Sequence, residues 1–321
     1  MPSSTFRLPF EQPIYELQDQ IEQIDAVTDK TPEQHDRVRG LRKQLTETTR
    51  TIYDNLSPWE TVRIARHPER PLLSDYISLV FDEFVELHGD KFYGDDRALR
   101  TGFAKIDEHK VLLAGHHKGK NTKERTETNF GMSHPEGYRK AMQKMRMAAK
   151  YGLPIITMID TPGAYPGVGA EERGQAQVIA ESMLAMSKLP TPIICVVIGE
   201  GGSGGALGIG VGDRIAILQN AYYSVISPEG CAGILWKSHD YAERAAEALK
   251  CTSKHLKQLG AVDDVIEEPL GGAHRDHHQM ATRLKMYLSK TLRELSAVPK
   301  DELLRGRYEK FRNMGQFVEA E

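Results

Sequence analysis

Apolar runs of strand length that alternate with helical patterns predict an α/β fold for this 321-residue chain. Two of those runs carry most of the argument. Pro154-Ile155-Ile156 opens one that reaches Asp160 and breaks into Thr161-Pro162-Gly163-Ala164-Tyr165-Pro166-Gly167. Pro192-Ile193-Ile194 opens the other, 38 residues later, and it breaks into Gly199-Glu200-Gly201-Gly202-Ser203-Gly204-Gly205. A β-rich run that stops at glycines and feeds a helix leaves backbone N–H groups free at the helix start, where they stabilise anions, including transient ones.

The N-terminal fifth predicts a helical hairpin. Ile14, Leu17, Ile21 and Ile24 share one helical face. Thr31-Pro32-Glu33-Gln34 is a capping-box start, and Val38, Leu41, Leu45 and Ile52 continue an apolar stripe. Periodicity leaves open whether the hairpin packs on its own core or on a partner subunit. The two prolines between His67 and Pro71 form a link, after which Ser74 is expected to cap a helix bearing Ile77, Val80, Phe81 and Phe84 and stopped by Gly89. Strands are expected at 102–106 and 111–116, an exposed loop at 116–133, and a helix at 136–150. Beyond the two glycine units come strands at 215–218 and 222–226, a helix after Ser227-Pro228, and a helical end from Asp276 with Leu284, Leu288, Leu292 and Leu295 in phase. The expected division is a hairpin region (1–72), a catalytic domain (73–296) and a C-terminal helical tail (297–321).

Composition narrows the function. A formal net charge of −3 offers no basic field for nucleic acid or membrane surfaces. No apolar run is long enough to span a bilayer, and residues 1–11 lack the pattern of a secretory signal. Cys195, Cys231 and Cys251 are far apart with no C-x-x-C, which argues against a disulfide framework and against a zinc site in this chain, and suits a reducing cytoplasm.

The loop at 199–205 fits three patterns. G-x-G-x-x-G suggests a dinucleotide turn, but the next strand ends in Gln219-Asn220 without the acidic ribose ligand. G-x-S-x-G suggests a nucleophile elbow at Ser203, but His239, His255 and His274 stand in no context that fixes a triad. The third pattern is an oxyanion turn whose small residues let a substrate approach the backbone, and five glycines within seven residues favour it over a bare turn. Glu171 and Glu172 are expected to cap the helix that follows the first loop. The basic stretch Lys118, Lys120, Lys123 and Arg125 is only a partial Walker A loop; it reads as a solvated loop or as a contact for coenzyme A phosphates.

Several long strings together resemble one family. They include Ala65-Arg66-His67-Pro68, Asn129-Phe130-Gly131-Met132, Pro135-Glu136-Gly137-Tyr138-Arg139-Lys140, the stretches 160–175, 198–206 and 227–237, and Glu268-Pro269-Leu270-Gly271-Gly272-Ala273-His274-Arg275. The chain resembles the α subunits of the carboxyltransferase component of bacterial and plastid acetyl-coenzyme A carboxylases. The resemblance implies a crotonase-like fold of β-β-α units and an α2β2 assembly with a zinc-bearing β subunit. It implies carboxyl transfer from carboxybiotin, held on a biotin carboxyl carrier protein and charged by a separate biotin carboxylase, to acetyl-coenzyme A. By the same resemblance, the N–H groups of Gly204 and Gly205 face the biotin ureido oxygen, and Gly163, Ala164, Tyr165, Gly201 and Gly202 line the biotin side of a cleft. The rival readings are a crotonase-fold acyl-coenzyme A hydratase or isomerase using Glu171 and Glu172, and a non-catalytic scaffold.

Overall fold

A computed structural model describes residues 6–315; residues 1–5, part of the stretch read for a secretory signal, and 316–321, the end of the expected tail, lie outside it. The chain begins with helices α1 (Gln12–Asp25), α2 (Pro32–Asp54), α3 (Pro58–Ala65) and α4 (Leu73–Val80). Strands β1 (Glu83–Glu86), β2 (Leu99–Ile106) and β3 (His109–His116) follow, then α5 (Thr122–Glu127) and α6 (Pro135–Lys150). The two glycine units are β4 (Ile155–Thr161) with α7 (Val168–Glu172) and α8 (Gln175–Lys188), and β5 (Ile193–Gly202) with α9 (Ser203–Leu207). The remainder comprises β6 (Arg214–Leu218), β7 (Tyr222–Ser224), α10 (Pro228–Trp236), α11 (Ala242–Leu249), α12 (Ser253–Gln258), β8 (Asp264–Ile266), α13 (His277–Ser296) and α14 (Lys300–Arg312).

All eight strands join one sheet in the order β1-β2-β3-β4-β5-β6-β8, with β7 extending the pairing along the end of β5. The first three strands are antiparallel and the pairs from β3 onward are parallel. Every residue of β4 and β5 is buried, as expected of parallel strands covered on both faces. Ile156, Ile159, Val196 and Val197 sit with Met145, Ile209, Leu284 and Leu288 in one continuous apolar core.

The hairpin is as expected, and Thr31 and Gln34 form the capping box. It is anchored on its own chain: Leu8, Ile14, Tyr53 and Ile64 form a small core. Buried Glu11 accepts hydrogen bonds from Tyr15, Tyr53 and Arg275. Four local expectations are corrected. The helix expected at Ser74 is capped by Leu72, whose N–H donates to Asp75 Oδ2 at 2.9 Å. It ends at Val80, because residues 83–86 pair with β2 and place Phe84 in a strand. Within 116–133, residues 122–127 form α5, N-capped by Asn121. The strand expected at 222–226 stops at Ser224. Glu171 lies in the first turn of the five-residue α7 and Glu172 ends it; α8 starts behind the left-handed Gly174.

Candidate active site

The two glycine loops leave neighbouring strands. Ile155 pairs with Ile193 and the ladder runs in step to Ile159 opposite Val197, an offset of 38 residues that equals the sequence repeat. Thr161 then faces Gly201, an offset of 40 (201 − 161), so β5 carries two extra residues at this point. The irregularity is filled by a side chain. Asp160 Oδ1 accepts the N–H of Glu200 at 2.9 Å. A β-carbon on Gly199 would lie 2.6 Å from the same oxygen. Such a bulge re-aims everything beyond it.

The first loop is tied down by side chains. The Gly163 N–H donates to Thr161 Oγ1 at 3.1 Å, and that hydroxyl donates to the Gly163 carbonyl at 2.6 Å. Ala164 packs against the main core from a half-buried position. The Tyr165 ring lies 4.1 Å from that of His134, its N–H donates to the Ser133 carbonyl, and its own carbonyl accepts from Gln175 Nε2.

The second loop is held by proximity instead. A β-carbon on Gly201 would come within 2.8 Å of the Tyr223 ring. On Gly202 it would collide with the Pro162 carbonyl, and on Gly205 with the backbone of Gly163 and Ala164. Gly204 differs: its β-carbon would meet only Ile179, at an ordinary 3.7 Å. The structure thus brings Gly163, Ala164, Gly202 and Gly205 into one junction. Gly204 and Gly205 occupy the first turn of α9, where N–H groups have no intrahelical acceptor. One sequence argument is corrected here. Packing accounts for four of the five glycines between 199 and 205, so their number alone is no sign of a ligand. The left-handed residue of the turn is Ser203, φ 50°. Ser203 is exposed and hydrogen-bonds to no histidine among the described residues. His239 faces the Glu229 carbonyl, His255 faces Thr252, and His274 stacks on His67.

Sequence reasoning missed what lies beneath the loops. Lys118, expected on a solvated loop, is drawn in between the strand ends. Its Nζ lies 2.5 Å from Glu200 Oε2 and 2.7 Å from Asp160 Oδ1. Glu200 Oε1 also accepts from Arg66 Nε at 2.6 Å and from the Tyr222 hydroxyl at 2.8 Å. Arg66 reaches on to Glu229. Burial alone would raise the Glu200 carboxyl, but Lys118 and Arg66 outweigh it and hold it at about 2. Burial would likewise lower the Lys118 ammonium, yet Asp160 and Glu200 keep it above its ordinary value. These groups border a cavity of about 260 Å³ lined also by Arg125, Phe130 and Pro162. The available signal was that Arg66, Asp160, Glu200 and Glu229 all lie within the family strings; Lys118 carried none, because its partners are 42 and 82 residues away (160 − 118; 200 − 118). Among the described residues no group of three or more His, Cys, Asp or Glu is arranged to hold a metal ion, and no helix is long and apolar enough to cross a membrane.

Residues 7–315 match the family model described as acetyl co-enzyme A carboxylase carboxyltransferase-like. The acetyl-coenzyme A carboxylase carboxyl transferase subunit alpha of Rhodopirellula baltica is 64% identical over 97% of this chain and 98% of its own length. That of Geobacter metallireducens is 50% identical over 99% of this chain and 100% of its own. Among solved structures, transcarboxylase 12S, with methylmalonyl-coenzyme A and methylmalonic acid bound, superposes with TM-score 0.55 and 21% identity over 68% of this chain. The chain spans only 42% of that longer protein. A Pseudomonas malonate decarboxylase hetero-tetramer in complex with coenzyme A gives TM-score 0.54 and 18% identity over 67% of this chain and 86% of the matched one. Identities this low support the fold alone, which is crotonase-like. With the family model spanning nearly its whole length and relatives this similar, the chain belongs to the family of acetyl-coenzyme A carboxylase carboxyltransferase α subunits.

Proposed function

We propose that this chain is one half of a carboxyltransferase that works with a β subunit, in an α2β2 complex, to move the carboxyl group of carboxybiotin to acetyl-coenzyme A and form malonyl-coenzyme A for fatty-acid synthesis. Biotin, carried on a biotin carboxyl carrier protein and carboxylated by a separate biotin carboxylase, and acetyl-coenzyme A are its substrates. Zinc belongs to the β subunit and the complex to the cytoplasm. Residues 73–296 form the catalytic domain, flanked by the hairpin region 1–72 and the tail 297–321.

Gly204 is the observation that carries this reading. It is the one glycine of the turn whose missing side chain no neighbour requires, and it is half-exposed at the start of α9. An open backbone there suits the close approach of a substrate oxygen. When the nitrogen–carboxyl bond of carboxybiotin breaks, carbon dioxide leaves and negative charge collects on the ureido oxygen. The N–H groups of Gly204 and Gly205 stabilise that charge, each worth about 3–4 kcal/mol in the transition state. The biotin nitrogen then takes a proton from the acetyl methyl group, and the acetyl enolate, held by a matching turn on the β subunit, attacks carbon dioxide. Gly163, Ala164, Tyr165, Gly201 and Gly202 form the biotin side of the cleft. The Lys118 ammonium is engaged by Asp160 and Glu200 and that of Lys120 by Asp75, which leaves Lys123 and Arg125 of the basic stretch for coenzyme A phosphates.

The test is the reverse reaction, malonyl-coenzyme A with free biotin, for this chain alone and with its β subunit. Transfer by the pair and none by the single chain is expected. No transfer by an assembled pair overturns the function, and full activity of the single chain overturns the two-subunit site.

A further inference from the structure

We infer that Lys118 is a positioning residue for the oxyanion turn: bridging Asp160 and Glu200, it holds the two-residue offset between β4 and β5 that aims the second glycine loop at the first. This rests on the function proposed above and adds a residue outside both loops.

The ladder between the strands is in step through Ile159 and Val197, and out of step by two residues at Thr161 and Gly201. Where ladder bonds are missing, something else must hold the backbone. Asp160 does so by accepting the Glu200 N–H. That places two carboxylates, 6% and 9% exposed, side by side at the strand ends. Like charges in a buried site repel strongly unless a cation lies between them. Lys118 is that cation, with one carboxylate oxygen of each strand within 2.7 Å of its Nζ. Arg66 touches Glu200 but makes no ion pair with Asp160, so it cannot bridge the strands. The stem of the Lys118 side chain is itself packed in place: a β-carbon on Gly131 would come within 2.8 Å of its Cγ.

The consequence runs straight to the reaction. Glu200 lies four residues before Gly204 and continues β5 into Gly202, which has no slack against Pro162. A change of separation between Asp160 and Glu200 therefore displaces the N–H groups of Gly204 and Gly205. A misplacement of about 1 Å can cost on the order of a hundredfold in rate. The turn that holds the acetyl enolate, placed on the β subunit, is not touched.

The experiment compares four assembled complexes in the reverse assay and in thermal melts: native, Lys118→Met, Lys118→Arg, and Lys118→Met with Glu200→Gln. The double variant keeps the native net charge of the cluster while removing the bridge. Lys118→Met is expected to lower kcat by roughly tenfold to a hundredfold with KM for malonyl-coenzyme A within about threefold. Lys118→Arg should recover much of the rate. The double variant should melt near the native temperature and stay slow. Native kcat in Lys118→Met overturns the proposal. So does a double variant that regains rate together with stability, because Lys118 would then only neutralise charge. So does a double variant that no longer assembles, because the role would then be structural. An inactive native complex would instead count against the function itself.

Discussion

The two glycine loops begin as copies and end as opposites. The first is stiffened by prolines and fastened by side chains: the Thr161 hydroxyl, the Tyr165 ring on His134, and Gln175 beneath it. The second has almost no side chains to fasten. It is held because its glycines let its backbone lie directly on the first loop and on Tyr223. Fastening one loop leaves the other free to be defined by its backbone, which is what a charge-stabilising turn requires. The comparison also divides the glycines by cause. Gly199, Gly201, Gly202 and Gly205 satisfy packing, and Gly204 satisfies none.

Gly205 is the severest test of that division. Gly205→Val drives side-chain atoms into the backbone of Gly163 and Ala164, which cannot move aside as a flexible side chain would. A loss of about 3 kcal/mol or more is expected, read as a lower melting temperature and failed assembly as well as lost turnover. A native-like melt would mean that the loops are not in close contact.

Gly204→Val is the matched contrast. Its φ is not left-handed and its β-carbon has room beside Ile179. The melt should change by less than about 0.5 kcal/mol, as for a surface site, while turnover of the complex falls roughly a hundredfold. Unchanged turnover in this variant would remove Gly204 from the oxyanion site.

Acid tests the ionic clamp at the base of both loops. The Glu200 carboxyl stands at about 2 against an ordinary 4.5, so its contribution to stability is fully present above 4.5 and is lost as pH falls through about 2. Stability measured by denaturant titration should decline across that window. Glu200→Gln should flatten the decline; an unchanged slope would mean that Glu200 is not held ionised by Lys118 and Arg66.

The smallest effect is expected at Ser203. It is exposed and, among the described residues, without a histidine partner, so Ser203→Ala should keep most of the turnover, and fluorophosphonate probes should leave the native residue unlabelled. Ser203→Gly should raise stability by up to about 1 kcal/mol, because glycine takes the left-handed conformation without strain. Covalent labelling with loss of turnover would return the nucleophile-elbow reading.

What could be read in advance followed from local rules. The 38-residue repeat marked Ile155 and Ile193 as equivalent places in two strands, Thr31 and Gln34 announced their capping box, and the leucines of α13 their buried face. Phe84 misled because helical spacing continued past Val80, and only pairing with β2 turned the chain into a strand. Lys118 misled because a lysine among polar residues has the pattern of a solvated loop.

The α/β class, the family, the apolar strands and the two glycine loops are legible along the chain, because each is encoded in the spacing of neighbouring residues or in unbroken strings of them. Which glycine is open, how far β5 slips against β4, and where Lys118 puts its charge emerge only on folding. These depend on distances between atoms tens of residues apart in the chain. A missing β-carbon has meaning only once the atom it would strike is known, and a buried ammonium is tolerated only where two carboxylates from separate strands arrive beside it.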